Sequence, residues 1–85
     1  MKLPLIKHMV QFIEENDEDY VEETLEVLEH LCDFSGIKDE EIDVLGEMIS
    51  NLYGALEVHK EIKSGVVKKE ALNNFMKRVQ GSIDQ

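Results

Sequence analysis

The chain has 85 residues, 19 acidic against 9 lysines and arginines, for a formal net charge of -10 at pH 7. At this length it forms one domain with a small core, burying about two-thirds of the surface its unfolded form exposes, and apolar residues at 42% suffice for folding despite the charge. That leaves little room for a catalytic domain with several shaped loops, and no stretch approaches the roughly 18 apolar residues of a membrane span.

Pro4 suits the first turn of a helix. Wound at about 100° per residue, Leu5, Ile6, Met9, Val10, Phe12 and Ile13 fall within an arc of about 160°, which predicts a first helix over residues 4–15. Asn16 and Asp17 offer a side-chain cap for a second helix over residues 18–35. Its apolar half carries Tyr20, Val21, Leu25, Val27, Leu28, Leu31 and Cys32, and the opposite half presents one acidic face. Gly36 is read as its left-handed stop.

Acidic residues after Lys38 complement the positive end of a third helix, and no stop appears before Ser64-Gly65, so the spacing predicts a long helix over 39–63. Its apolar arc is about 220° wide, which calls for several neighbours. A fourth helix over 67–80 places Ala71, Leu72, Phe75, Met76 and Val79 on one stripe before Gly81, and residues 82–85 are expected to fray. Nothing alternates with period two. The fold class is therefore all-α, an antiparallel four-helix bundle with a long central third helix. Its core is expected to include Ile13, Leu28, Leu31, Leu45, Ile49, Leu52, Leu56, Leu72, Phe75 and Val79.

The motifs of common chemistry are missing. A di-iron bundle wants Glu-x-x-His, but the residues three before His8, His30 and His59 are Leu5, Val27 and Leu56. The acidic clusters lack the position-6 glycine and position-12 glutamate of a calcium loop. No phosphate-binding glycine loop, nucleophile elbow or zinc-protease motif occurs. Cys32, the single cysteine, permits no internal disulfide or cysteine-based zinc site, and its acidic helix does not activate a nucleophile. The reading is a non-enzymatic protein with no cofactor and no metal. With no secretory signal apparent in Met1-Lys2-Leu3-Pro4, a cytoplasmic location is expected. His59 falls within the apolar arc of the third helix near its C-terminal end. It reads as a boundary histidine favoured by the helix dipole, or alternatively as the centre of a small-ligand or metal-binding site.

Charge is the remaining signal. From Glu14 to Glu57 there are 16 acidic residues and only Lys38 as a base, whereas Lys60 to Val79 carries six bases and two acids. The basic segment neutralises an acidic bundle more readily than it binds phosphate, so no nucleic acid and no membrane is expected as a partner. Glu22, Glu26, Glu29 and Asp33 stand in one row, where like charges repel by a few tenths of a kcal/mol per pair. That row, read as a solvated face or as a docking surface, and the glycine-bearing side of the third helix (Ser50, Gly54, Glu57) are the candidate partner-binding residues. The expected partner is a protein, a basic one among the candidates, or a second copy in a homodimer.

Acyl carrier proteins are acidic helical bundles of this length, but their Asp-Ser-Leu attachment motif is absent. The segments Ile6-Lys7-His8, Phe12-Ile13-Glu14-Glu15-Asn16-Asp17-Glu18-Asp19-Tyr20, Asn51-Leu52-Tyr53-Gly54-Ala55-Leu56-Glu57-Val58-His59 and Lys69 to Val79 resemble short uncharacterised acidic proteins of Bacteroidetes over nearly the whole chain. The resemblance implies a bacterial protein and brings no assigned activity or site residue.

Overall fold

The computed structural model describes residues 2–83, with side chains described through Val79. Four helices follow one another: α1 Leu3–Glu15, α2 Glu18–Leu31, α3 Asp39–Lys63 and α4 Lys68–Ile83. Among the described residues there is no strand. Each boundary has a local cause. Asp17 caps α2, its side chain accepting from the Asp19 N–H at 3.1 Å. At the start of α3 the Lys38 N–H donates to Glu41 Oε1 at 2.9 Å. The end of α3 is a Schellman turn: Gly65, at φ 109°, donates its N–H to the Ile62 carbonyl, and Val66 donates to that of Glu61.

α1 and α3 form the centre, each touching every other helix, while α2 and α4 lie apart and do not meet. Sequential helices alternate in direction, so α1 and α3 run parallel. The Lys2 N–H donates to Asn51 Oδ1 at 3.0 Å at one end of that pair, and Ile6 lies against Gly54 one turn further along. α2 runs back along α3, with Glu18 beside Lys63 and Glu29 beside Tyr53. The molecule is a slab with extents of 43, 35 and 17 Å.

The core is Ile6, Val10 and Ile13 of α1, Val21 and Leu25 of α2, Ala55 and Val58 of α3, and Ala71, Leu72 and Phe75 of α4. Burying each of the larger side chains stabilises the fold by about 1.5–3 kcal/mol. On α3 the fully buried stripe is Asn51, Gly54, Ala55 and Val58, at positions i, i+3, i+4 and i+7. Asn51 is the one buried polar side chain among the described residues, and both ends of its amide are satisfied: Oδ1 accepts from Lys2 and Nδ2 donates to the Glu47 carbonyl at 2.8 Å.

The core thus departs from the expected list. Ile13, Leu72 and Phe75 are buried, whereas Leu28, Leu45, Ile49, Leu52, Leu56 and Val79 are half-buried and Leu31 is exposed. The small side chains of α3, rather than its leucines, face α1 and α4, because close helix approach requires them there. The starts of α1 and α4 each differ by one residue from expectation, and the ends of α2 and α4 differ by more. α2 ends at Leu31 instead of continuing to 35: its last bonds tighten to i, i+3 (Asp33 N–H to His30, Phe34 N–H to Leu31), and Gly36 does not adopt positive φ. No buried side chain anchors the chain beyond Leu25 there, so nothing holds the poor helix formers Ser35 and Gly36 in a further turn. α4 runs through Gly81 to Ile83, a glycine weakening a helix without ending it. Of the tail expected to fray, Ser82 is within α4 and Ile83 ends it, and Asp84 and Gln85 lie outside the described residues.

Candidate functional site

The α2–α3 hairpin brings part of the expected acidic surface together. Glu22, Glu26 and Glu29 stand exposed along α2 and share a groove with Leu25, Tyr53 and Leu56. Glu57 joins Glu22, Tyr53 and Leu56 in the adjoining groove toward Lys60 and Lys63. Tyr53 donates its hydroxyl hydrogen to the Glu29 carboxylate. That bond holds the phenol above its ordinary pKa, with desolvation and the negative charge of Glu29 acting in the same direction.

The other expected residues fall elsewhere. Asp33 follows the end of α2 and borders a depression with His30, Leu31 and Phe34. Ser50 is half-buried and lines neither of the two grooves. Gly54 is a correction: it is buried, and a Cβ placed on it meets Phe75 Cζ at 2.8 Å and Ile6 Cδ1 at 3.2 Å, so it offers no surface to a partner. Its glycine is needed for the approach of α1 and α4 to α3. His59 is largely covered, its Nε2 3.9 Å from Glu18 Oε2 and its Nδ1 buried without a hydrogen-bond partner. Among the described residues no group of three or more His, Cys, Asp or Glu side chains is placed to hold a metal ion.

A further concavity lies at the connection end of the hairpin. Leu31, Phe34 and Ile37 face Val44 and Leu45 across an open cleft of about 560 Å³ that Glu40 and Glu41 also line. No residue from 26 to 50 is fully buried, yet Val27, Leu31, Phe34, Ile42, Val44 and Met48 are all exposed large apolar side chains, Phe34 at 65%. Scattered exposed apolar residues need no explanation, but three of these, Leu31, Phe34 and Val44, gather around one cleft. α3 extends about 18 Å, twelve residues at 1.5 Å each, ahead of its first buried residue, Asn51. The sequence carried a signal for this surface in the 220° apolar arc of the third helix, wider than three neighbours cover, and in the apolar ends of Phe34-Ser35-Gly36-Ile37.

Ion pairing is uneven. Three bases of the chain's second half are engaged with Glu14, Glu18, Glu57 and Glu61, through Lys68 at 2.9 Å, Lys63 at 3.4 Å and Arg78 at 3.9 and 2.6 Å respectively. Among the described residues no carboxylate between Glu22 and Asp43 has a basic side chain within ion-pairing distance.

A family model covers residues 1–84 of this chain. The chain belongs to DUF6952, a family of unknown function. No curated protein and no solved structure matches it. In this DUF6952 chain no described helix is long and apolar enough to cross a membrane. The bundle's two candidate surfaces, acidic groove and apolar cleft, lie on the same helical hairpin.

Proposed function

We propose that this DUF6952 protein is a non-enzymatic cytoplasmic interaction module that binds another protein through its α2–α3 hairpin. The observation that carries the reading is the exposed apolar cleft between Leu31, Phe34 and Val44 on a hairpin end that contributes nothing fully buried to the core. Leaving such a patch in water is unfavourable by about 25 cal/mol for each Å² of apolar surface, a cost that burial in an interface removes. The carboxylates of α2 from Glu22 onward, which have no basic side chain within ion-pairing distance among the described residues, add a field that favours a basic protein and repels phosphate, which argues against nucleic acid.

The test is a photo-crosslinking amino acid placed at Phe34 and, as a control, at Val67, which is equally exposed at 65% but sits in the α3–α4 connection. A discrete protein adduct in the source cell from position 34 and none from position 67 is expected. Equal labelling from both, or none from either, contradicts the reading.

One observation favours a second reading, small-ligand binding at His59, whose Nδ1 is buried and unpartnered. Native mass spectrometry of protein purified without a metal-affinity tag separates the two. A small bound mass lost in His59→Leu is the signature of this reading.

A further inference from the structure

The reading of the hairpin as an interaction surface leaves its occupant open, and the inference here rests on that reading. We infer that the cleft between the end of α2 and the first three turns of α3 receives a basic amphipathic helix from a partner protein.

Shape is the first argument. The cleft is lined by Leu31 at the end of α2, Phe34 and Ile37 of the α2–α3 connection, and Val44 and Leu45 of α3. An open apolar cleft beside an exposed helix is a surface that another helix fills with residues at i, i+3, i+4 and i+7. The exposed part of α3, about 18 Å long, matches a docked helix of about three turns.

Charge selects the occupant. Residues 26–50 carry eight carboxylates and Lys38 as their only lysine or arginine. Two of those carboxylates, Glu40 and Glu41, line the cleft itself. A second copy pairing face to face through this patch would set the same acidic rim against itself, which opposes a symmetric dimer. A helix with lysines and arginines flanking its apolar stripe places its cations over that rim while burying its apolar face. Of the eight, Glu47 lies 4.0 Å from Lys2 and, among the described residues, none of the other seven has a basic side chain within ion-pairing distance, while Lys63, Lys68 and Arg78 pair with Glu14, Glu18, Glu57 and Glu61.

The probe is a synthetic peptide of about 16 residues, long enough for a marginal helix in water, with a leucine stripe at helical spacing and lysines elsewhere. A second peptide keeps the leucines and replaces the lysines by glutamates, and a third scrambles the basic one. Binding is followed by fluorescence anisotropy, and backbone NMR shifts locate it. The basic peptide is expected to bind, to shift resonances within residues 27–48, and to associate more slowly as salt rises. The doubly substituted variant Phe34→Ser/Val44→Ser should weaken it about tenfold or more, whereas Val67→Ser leaves it unchanged.

Three results overturn the inference: comparable binding of the acidic or scrambled peptide, basic-peptide binding indifferent to Phe34→Ser/Val44→Ser, or concentration-dependent self-association that the same substitutions abolish, which makes a second copy the occupant. A position-34 crosslink to a protein together with failure of the basic peptide leaves the interaction module standing and removes only the basic helix. Absence of both removes the module as well.

Discussion

The two ends of α3 are built from similar amounts of apolar residue and meet opposite fates. Its second half, from Asn51 to Val58, presents Gly54 and Ala55 inward, and α1 and α4 close over them until Phe75 and Ile6 touch the glycine. The first half, from Asp39 to Ser50, carries Ile42, Val44, Leu45, Met48 and Ile49, and none of them is fully buried. Apolar content therefore does not decide burial in this chain. Gly54 and Ala55 let neighbouring helices approach where α1 and α4 lie against α3, and α1 begins only opposite Asn51, so the larger side chains ahead of it stay at a surface. The glycines give the contrast in miniature: Gly54 is enclosed, while a Cβ on Gly46 meets nothing within 4 Å.

The largest expected effect comes from the packed end. Ile6 is fully buried, and Ile6→Ala should lower the free energy of unfolding by about 2–5 kcal/mol, a large share of the stability of so small a domain. Chemical denaturation checks this, and a loss below about 1 kcal/mol means that α1 is not central.

The two glycines should respond with opposite sign. Gly46→Ala, exposed and unobstructed, should stabilise α3 by up to about 1 kcal/mol through helix propensity. Gly54→Ala gains the same propensity but drives its methyl into the Phe75 ring, and overpacking of about 1–3 kcal/mol should leave it less stable than the parent. Melting temperatures that move in the same direction for both would erase the distinction between the two halves.

Smaller changes are expected on the acidic row. Replacing Glu22, Glu26 and Glu29 together by Gln removes like-charge repulsion along α2 and should leave the fold intact or more stable by a few tenths of a kcal/mol. If the row steers a partner, its association rate falls in the same variant while its dissociation rate changes little. The subtlest effect is at Tyr53. Its protonated hydroxyl donates to Glu29, so its folded pKa lies above the ordinary value. Whatever stability that bond contributes is present below about pH 10, the unfolded phenol's value, and is lost as pH rises through the folded pKa. In a Tyr20→Phe background, phenolate absorbance should show Tyr53 titrating above the usual range, and Glu29→Gln should bring the transition down. An unchanged transition would mean the bond is not formed in solution.

How much of this was legible in the sequence follows from which signals are local. Helix identity was, since apolar spacing, the Asp17 cap and the Gly65 turn act within a few residues. The stop expected at Gly36 failed because tertiary packing, not the glycine, decided how far α2 extends. The core stripe of α3 was misplaced for the same reason. Side-chain size pointed to Leu45, Ile49, Leu52 and Leu56, and only the placement of α1 and α4 reveals that Asn51, Gly54, Ala55 and Val58 face inward. Of the candidate surface, Glu22, Glu26, Glu29 and Glu57 do gather on one hairpin, as a row on a helix wheel suggests. Ser50 and Gly54 could not be placed without knowing where α4 lies. The apolar cleft went unread because each of its residues looks like core when taken alone. The surplus shows only when the helices available to cover it are counted.

The measurement that bears most directly on the division between a packed end and an open docking end is the unfolding free energy of Phe34→Ser/Val44→Ser beside that of Ile6→Ala. Exposed side chains away from special features change stability by no more than about 0.5 kcal/mol each. The double variant should therefore unfold within about 1 kcal/mol of the parent while losing its docking function. A loss of about 3 kcal/mol or more, comparable to Ile6→Ala, would show that the hairpin end belongs to the core and is no docking surface.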